Sequence, residues 1–157
     1  MMKTYSMEPA RFGHVPQLVN LLASTVPDCS PQTVWDIPWS WPDYWVICAK
    51  ERVIATGALR YIDEGRCELR GLAVHTDFRG RGLARLMVRH LQEVAEEREH
   101  EMLCVTRSPE FFRRLGFSPT HPFWLDLEPA RWPLDGHPGR VPMSAAAPSR
   151  RMDMTGS

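Results

Sequence analysis

The segment Leu72–Met87, LAVHTDFRGRGLARLM, constrains the fold of this chain more than any other stretch. It begins as a short apolar run typical of a buried strand and passes through a polar turn that contains two glycines. Apolar residues then recur at helical spacing from about Gly82 to Glu99, and another apolar run occupies Met102–Thr106. Strand, helix and strand in this order predict a parallel pair joined by a right-handed crossover.

The flanking sequence predicts further elements of both kinds. A first helix is expected within residues 11–25, and a short helix after Ser108 should end just before Gly116. Four prolines within residues 26–45 predict a loop with short helical turns. Strands are predicted at Trp45–Ala49, Val53–Tyr61, Gly65–Val74 and His121–Glu128.

At 157 residues the chain has the length of one domain. Beyond Pro129 the composition shifts to Pro, Ala, Gly, Ser and Arg without periodicity. We therefore expect one domain over residues 1–133 and a disordered or loosely attached tail over residues 134–157.

Charge and composition exclude several classes of protein. The formal net charge is zero, which gives no global attraction to nucleic acid or to an anionic membrane. No apolar run is long enough for a membrane helix, and no secretion signal is recognisable, so a cytoplasmic location is expected. The four cysteines lack CxxC spacing, and no metal site is predicted.

The glycine loop suits an anionic ligand, because helix N–H groups point into it and missing Cβ atoms let the backbone approach. Arg79 and Arg81 would add positive charge. The spacing is neither that of a nucleotide triphosphate loop nor that of a first Rossmann turn. A plain helix-entry turn is the structural alternative. Nucleic-acid binding through RGRG and the arginines of the tail finds little support in the zero net charge.

The hexapeptide Arg79–Ala84, RGRGLA, fits the pattern [QR]-x-x-G-x-[GA], and its strand, loop, helix and strand context agrees. Together with ELRGLAV and VTRSPEFFRRLGF, it resembles the GNAT N-acetyltransferase superfamily over about residues 5–127. Among that superfamily it is most similar to the acetyltransferase domain of N-acetylglutamate synthases. The resemblance implies an α/β (α+β) fold: a mixed, mostly antiparallel sheet of six to seven strands, flanked by helices and splayed between its two parallel central strands.

The resemblance further implies that acetyl-CoA is the cosubstrate. The signature would hold its pyrophosphate, while strand residues before the loop would hydrogen-bond its pantetheine arm as an added strand does. A bulge is expected at Gly71. The implied cofactor-binding residues are Leu72, Ala73, Val74, Arg79, Gly80, Arg81, Gly82, Leu83, Ala84 and Phe112.

The implied reaction is direct attack of a free amine on the thioester. An alkyl ammonium must lose its proton first, and Glu68 stands where some members carry the general base. The alternative is that Glu68 only pairs with its neighbour Arg70. Phe112 occupies the position of the usual tyrosine, which protonates the departing CoA thiolate, and a phenyl ring cannot donate a proton. Solvent or another hydroxyl such as Ser108 would protonate the thiolate instead, or the thiolate leaves unassisted.

Acceptor-binding candidates are Arg70, Arg107, Trp35 and Trp39. Arg107 matches an arginine that contacts a carboxylate in the resembled branch, although a solvated charge at a strand end is an equal alternative. The tryptophans, with Trp41, could wall a pocket near Asp36 or Asp43, or simply pack beneath a loop.

The expected function is therefore acetyl-CoA-dependent acetylation of a primary amine on a small molecule, an amino acid being one option. Acetylation of a protein or peptide and a catalytically silent acyl-CoA-binding module are the alternatives. No nucleic-acid or membrane partner is expected. A homodimer is left open, because nothing in the sequence identifies an interface.

Overall fold

The structure is a computed structural model that describes residues 5–25, 31–121 and 140–145. The strands are β1 (Ser6–Pro9), β2 (Tyr44–Ala49), β3 (Arg52–Asp63), β4 (Arg66–Val74), β5 (Glu101–Thr106), β6 (Ser118–Pro119) and β7 (Val141–Ala145). The α-helices are α1 (Val15–Ala23), α2 (Pro31–Ser40), α3 (Leu83–Glu97) and α4 (Pro109–Arg113). Within these described ranges, no helix is long and apolar enough to cross a membrane.

The strands form one mixed sheet in the order β1-β2-β3-β4-β5-β7-β6. The register pairs of β1 with β2, β2 with β3, β5 with β7 and β6 with β7 are antiparallel. The β4–β5 ladder is parallel and runs from Arg66 opposite Glu101 to Glu68 opposite Leu103. The predicted parallel pair is therefore confirmed, and so is the mixed sheet flanked by helices. Since β4 continues to Val74, the ladder covers only its first third.

The described chain divides into two compact units whose boundaries fall inside β3, β4 and α3. The first unit comprises the described residues up to Arg60 together with Leu69–Leu91. Its core lies between one sheet face and the helices α1 and α2. The buried members of this core are Ala10, Leu18, Leu21, Leu22, Ile37, Tyr44, Val46, Cys48, Val53, Ala58 and Ala73.

Helix α3 packs closely on β3 at Gly57. A Cβ atom on Gly57 would lie 2.9 Å from Met87 Cγ and 3.0 Å from Leu91 Cδ1, and both side chains are fully buried. These contacts explain the glycine, because any side chain there would push the helix away from the strand.

Substituting Gly57→Ala should therefore lower the free energy of unfolding by about 1–3 kcal/mol through overpacking. Gly13→Ala is the matched control, because a Cβ on Gly13 would meet no atom within 4 Å. Urea titration of both variants tests the packing. Equal stability of the two variants would contradict it.

The second unit comprises Tyr61–Glu68 and the described residues from Gln92 onward. Its buried apolar residues come from the start of β4, the end of α3, β5, α4, the turn after α4, and β7. Gln92 fastens helix α3 to that turn, since its Nε2 donates to the carbonyl oxygen of Leu115 at 2.7 Å.

The proline-rich segment was expected to be a loop with short turns, but the structure contains the ten-residue helix α2 there. Pro31 occupies the first position of the helix, where no backbone donor is needed. Pro38 lies in its last turn, where it costs one hydrogen bond at most. Burial of Ile37 on the core of the first unit compensates for it.

The expectation of a loose tail from residue 134 is wrong for Val141–Ala145. These five residues form β7, which pairs with β5 from Met102 opposite Ala145 to Thr106 opposite Val141. The segment is short and contains Pro142, which disfavours a strand locally, so its strand is stabilised by pairing distant in sequence rather than by local propensity. The strand predicted at His121–Glu128 lies, beyond its first residue, outside the described residues.

Candidate active site

The loop after β4 is built in two steps. His75 caps a 3₁₀ turn over Thr76–Phe78, its Nδ1 accepting the N–H of Asp77 at 3.1 Å. Gly80 and Gly82 then adopt positive φ angles of 77° and 78°, which turn the chain into helix α3. The helix begins at Leu83, and its first backbone N–H groups are left without intrahelical acceptors.

The two loop glycines leave room for a ligand. A Cβ on either Gly80 or Gly82 would meet no atom within 4 Å, and both residues are exposed. An anion can therefore approach the backbone at the positive end of a fifteen-residue helix. This cradle, which side chains would fill, fits the pyrophosphate of coenzyme A.

The two loop arginines, Arg79 and Arg81, bring positive charge to the loop and also stabilise its conformation by hydrogen bonds. Arg79 Nε donates to the carbonyl oxygen of Val74 at 3.3 Å. The guanidinium of Arg81 donates to the Tyr5 hydroxyl at 3.3 Å and to the Asp77 carbonyl oxygen at 3.4 Å. Both arginines thus lie beside the loop glycines, and their hydrogen bonds join the loop to Val74 and Tyr5.

The last part of β4 carries the residues predicted to meet the pantetheine arm. Ala73 is buried, while Leu72 and Val74 are half-buried. Gly71 has a φ of +59°, the left-handed conformation that favours glycine and occurs in bulges of the predicted kind. A Cβ there would lie 2.6 Å from the Tyr44 hydroxyl oxygen, so the phenol packs directly on the strand backbone.

Glu68 lies in the second unit, at the last pair of the parallel ladder, opposite Leu103. It is a buried carboxyl group, with 3% of its surface exposed. Burial raises the pKa of the nearby Cys104 thiol, and the charge of Glu68 raises it further. A carboxylate held at this depth is suited to taking up a proton within a dry site.

The described cysteines are unsuited to covalent catalysis. Cys48, Cys67 and Cys104 are free and buried. Burial raises the pKa of the Cys67 thiol to about 12, and burial with the neighbouring Glu8 raises that of Cys48. A nucleophilic thiolate needs a lowered pKa, so none of these three forms one near neutral pH.

Phe112 lies on α4 and is 5% exposed. Its ring meets those of Phe111 and Phe117 edge-on, at centroid distances of 5.0 Å and 5.2 Å. Ser108 and Arg107 are exposed at the end of β5, and the Ser108 hydroxyl makes no capping hydrogen bond. Phe112 therefore fills an aromatic cluster, and Ser108 keeps an available hydroxyl.

The acceptor candidates of the first unit are only partly brought together. Arg70 Nη2 lies 3.6 Å from Asp36 Oδ2, and only 9% of the Arg70 side chain is exposed. Burial raises the pKa of Asp43, although Arg70 and then Arg60 counteract this effect. Trp39 is 81% exposed, and the Trp35 side chain lies outside the described residues. Trp41, in contrast, meets Phe12 at 5.9 Å.

One group of side chains in the described ranges could approach a metal ion: Glu8, His14 and Cys48. In this group His14 Nδ1 accepts the N–H of Arg11 at 2.9 Å. The Arg11 guanidinium also lies 3.3 Å from Glu8 Oε1 and supplies the positive charge there. Two of the three side chains are therefore held by contacts with Arg11.

Three residues beside the site escape sequence reasoning: Tyr5, Tyr44 and Arg52. Tyr5 and Tyr44 precede β1 and begin β2, far in sequence from the loop and strand they contact. The Arg52 Nη2 lies 2.7 Å from Nε2 of His75. No local pattern signals such contacts, because the sheet topology creates them.

Comparison with known proteins agrees with this geometry. Residues 15–117 match the model of the Acetyltransferase (GNAT) family, and the chain belongs to that family. It is 32% identical over 101 residues to the uncharacterized N-acetyltransferase YedL of Escherichia coli, covering 60% of each chain. It is 34% identical over 76 residues to the uncharacterized N-acetyltransferase CT2212 of Chlorobaculum tepidum. The match covers 48% of this chain and 49% of that protein.

Solved structures share the fold. Rv2747 from Mycobacterium tuberculosis, in complex with CoA and NLQ, superposes with a TM-score of 0.74 at 19% identity, covering 90% of this chain and 98% of that one. N-acetylglutamate synthase from Neisseria gonorrhoeae, complexed with coenzyme A and N-acetyl-glutamate, also gives 0.74, at 14% identity. This superposition covers 93% of this chain and 36% of the synthase.

Proposed function

We propose that this protein is an acetyl-CoA-dependent N-acetyltransferase whose acceptor is the primary amine of a small molecule. The observation that carries the proposal is the cradle at Gly80 and Gly82, where open space and the start of helix α3 coincide. The solved relatives that contain coenzyme A support it.

When bound, acetyl-CoA supplies an activated acetyl thioester. The loop glycines and the first turn of α3 would hold its pyrophosphate, and Leu72 and Val74 would hold the pantetheine arm. Arg79 and Arg81 would offset the negative charge of the phosphates. The other steps are two proton transfers: removal of a proton from the acceptor ammonium and protonation of the departing thiolate.

Glu68 is the proposed general base. An alkyl ammonium has a pKa near 10.4, so almost none of the acceptor is nucleophilic at neutral pH. The Glu68 carboxylate would take the ammonium proton, directly or through one water. Direct attack then needs no thiolate from the protein, in agreement with the raised pKa values of the described cysteines.

The departing thiolate has no phenol at position 112 to protonate it. The exposed Ser108 hydroxyl or solvent is proposed in its place. A CoA thiolate is a stable leaving group, so activity survives without this donor at a cost of about 10²-fold.

The acceptor is proposed to approach Arg70 and Asp36, or Arg107, through its own charged groups. The amino-acid-derived ligands in the neighbouring synthase structure favour a small acceptor of this kind. A peptide acceptor and a silent acyl-CoA-binding module are the competing functions, the second because of Phe112.

A free-thiol release assay with acetyl-CoA tests the function against amino acids, polyamines, arylamines and short peptides. Turnover confined to one class of small amines is expected. Heat stabilisation by acetyl-CoA should accompany it. Stabilisation without thiol release from any acceptor would favour the silent module, whereas turnover confined to peptides would favour the second alternative.

A further inference from the structure

We propose that Arg52, together with Phe78 and Arg81, forms a binding site for the 3′-phosphate of coenzyme A beside the glycine loop. The proposal rests on the proposed function, because the ligand is the cosubstrate named there. It assigns a role to Arg52, which lies outside the family signature, at the first position of β3.

Two guanidinium groups from separate elements gather on one phenyl ring. The Arg81 Cζ lies 4.9 Å from the centroid of the Phe78 ring, and the Arg52 Cζ lies 5.7 Å from it. The ring stabilises both cations by cation–π contact, and it limits the freedom of two long side chains. Both guanidinium groups therefore lie within 5.7 Å of the same ring centroid.

Positive charge exceeds negative charge in the loop of residues 75–82, whose one carboxylate, that of Asp77, lies 3.9 Å from Nδ1 of His75. Among the residues that the structure describes, Arg52, Arg79 and Arg81 form no ion pair with a carboxylate. Other arginines of the same unit do, since Arg11 meets Glu8 at 3.3 Å and Arg70 meets Asp36 at 3.6 Å. The surface beside the loop is therefore positive in a chain of zero net charge.

The contact of Arg52 with His75 is easily exchanged. The Asp77 N–H approaches Nδ1 of His75 at 3.1 Å, while Arg52 Nη2 approaches Nε2 at 2.7 Å. A neutral imidazole accepts at only one of its nitrogens, so the two donors compete. When an anion binds the Arg52 guanidinium, His75 keeps the capping hydrogen bond from the Asp77 N–H. Replacing the Arg52–His75 contact by an Arg52–anion contact therefore costs little free energy.

A phosphomonoester matches this site. Its charge of about −1.5 to −2 at neutral pH balances two guanidinium groups, and its oxygens accept paired N–H donors. Coenzyme A carries one phosphomonoester, on its ribose, besides the diphosphate that the glycine loop would take. The cluster and the loop together would offset both phosphate groups of the ligand.

Calorimetric titration with coenzyme A and with 3′-dephospho-coenzyme A tests the site on wild type and Arg52→Gln. The wild type should bind coenzyme A about tenfold more tightly than the dephospho form, as one charged hydrogen-bonded contact would give. In Arg52→Gln this preference should vanish, through weaker binding of coenzyme A alone. Arg89→Gln, an exposed arginine further along α3, is the matched control and should keep the preference.

Equal affinity of the wild type for both ligands would overturn the proposal. So would an Arg52→Gln variant that loses affinity for both ligands equally, since the arginine would then act without regard to the 3′-phosphate. Failure of the wild type to bind either ligand is a separate result, which would overturn the proposed function itself.

Discussion

Replacing Glu68 with glutamine should lower kcat by about 10²–10⁴-fold, the usual contribution of a general base. Glutamine has nearly the same shape and can occupy the same buried position, but its amide cannot accept a proton from an ammonium ion. Binding of acetyl-CoA should change little, because Glu68 is not part of the loop. The expected signature is a loss of kcat with a nearly unchanged KM for acetyl-CoA.

Glu101→Gln is the matched control, since Glu101 lies on the adjoining strand and pairs with Arg66 at 3.6 Å. It should keep wild-type kcat. Initial rates across pH add a second test, because without the base only the unprotonated amine reacts, so kcat/KM of the variant should keep rising with pH toward the pKa of the amine. A Glu68→Gln variant with wild-type rates would show that the base lies elsewhere.

Replacing Gly71 with alanine should lower the free energy of unfolding by about 3 kcal/mol. A left-handed backbone costs a non-glycine residue roughly 1–2 kcal/mol, and overpacking adds about 1–3 kcal/mol. The overlap here is severe, because the new Cβ would lie 2.6 Å from the Tyr44 hydroxyl oxygen and 2.7 Å from its ring.

Gly82→Ala separates these two effects, because Gly82 has a φ of +78° and open space around it. It should lose only the cost of the left-handed backbone, roughly 1–2 kcal/mol. Urea denaturation of the unliganded variants measures the difference. If Gly71→Ala were no less stable than Gly82→Ala, Tyr44 would not pack on the strand as described.

The strand, loop and helix around Gly82 could be predicted from sequence because their signals are local. A glycine turn and a 3.6-residue apolar period each act within a few residues. Helix α2 was missed because proline is a strong local signal against helices, while the burial of Ile37 that stabilises it is a tertiary effect. Strand β7 was missed for a related reason, since its pairing partner is about forty residues away.

The candidate site divides in the same way. The signature identifies the two loop glycines. In the structure both have a positive φ, which only glycine adopts freely. The contacts of Arg81 with Tyr5 and of Arg52 with His75 join positions 76 and 23 residues apart. One sequence without relatives carries no signal for such pairs.

The interior position of β7 has a consequence for synthesis of the protein. Strand β5 carries an open hydrogen-bonding edge until Val141–Ala145 arrives to pair with it. During translation that edge is exposed while about forty further residues are made, and unpaired edges recruit other chains. The second unit can therefore close only late, and we expect nascent chains stopped before residue 141 to aggregate through β5.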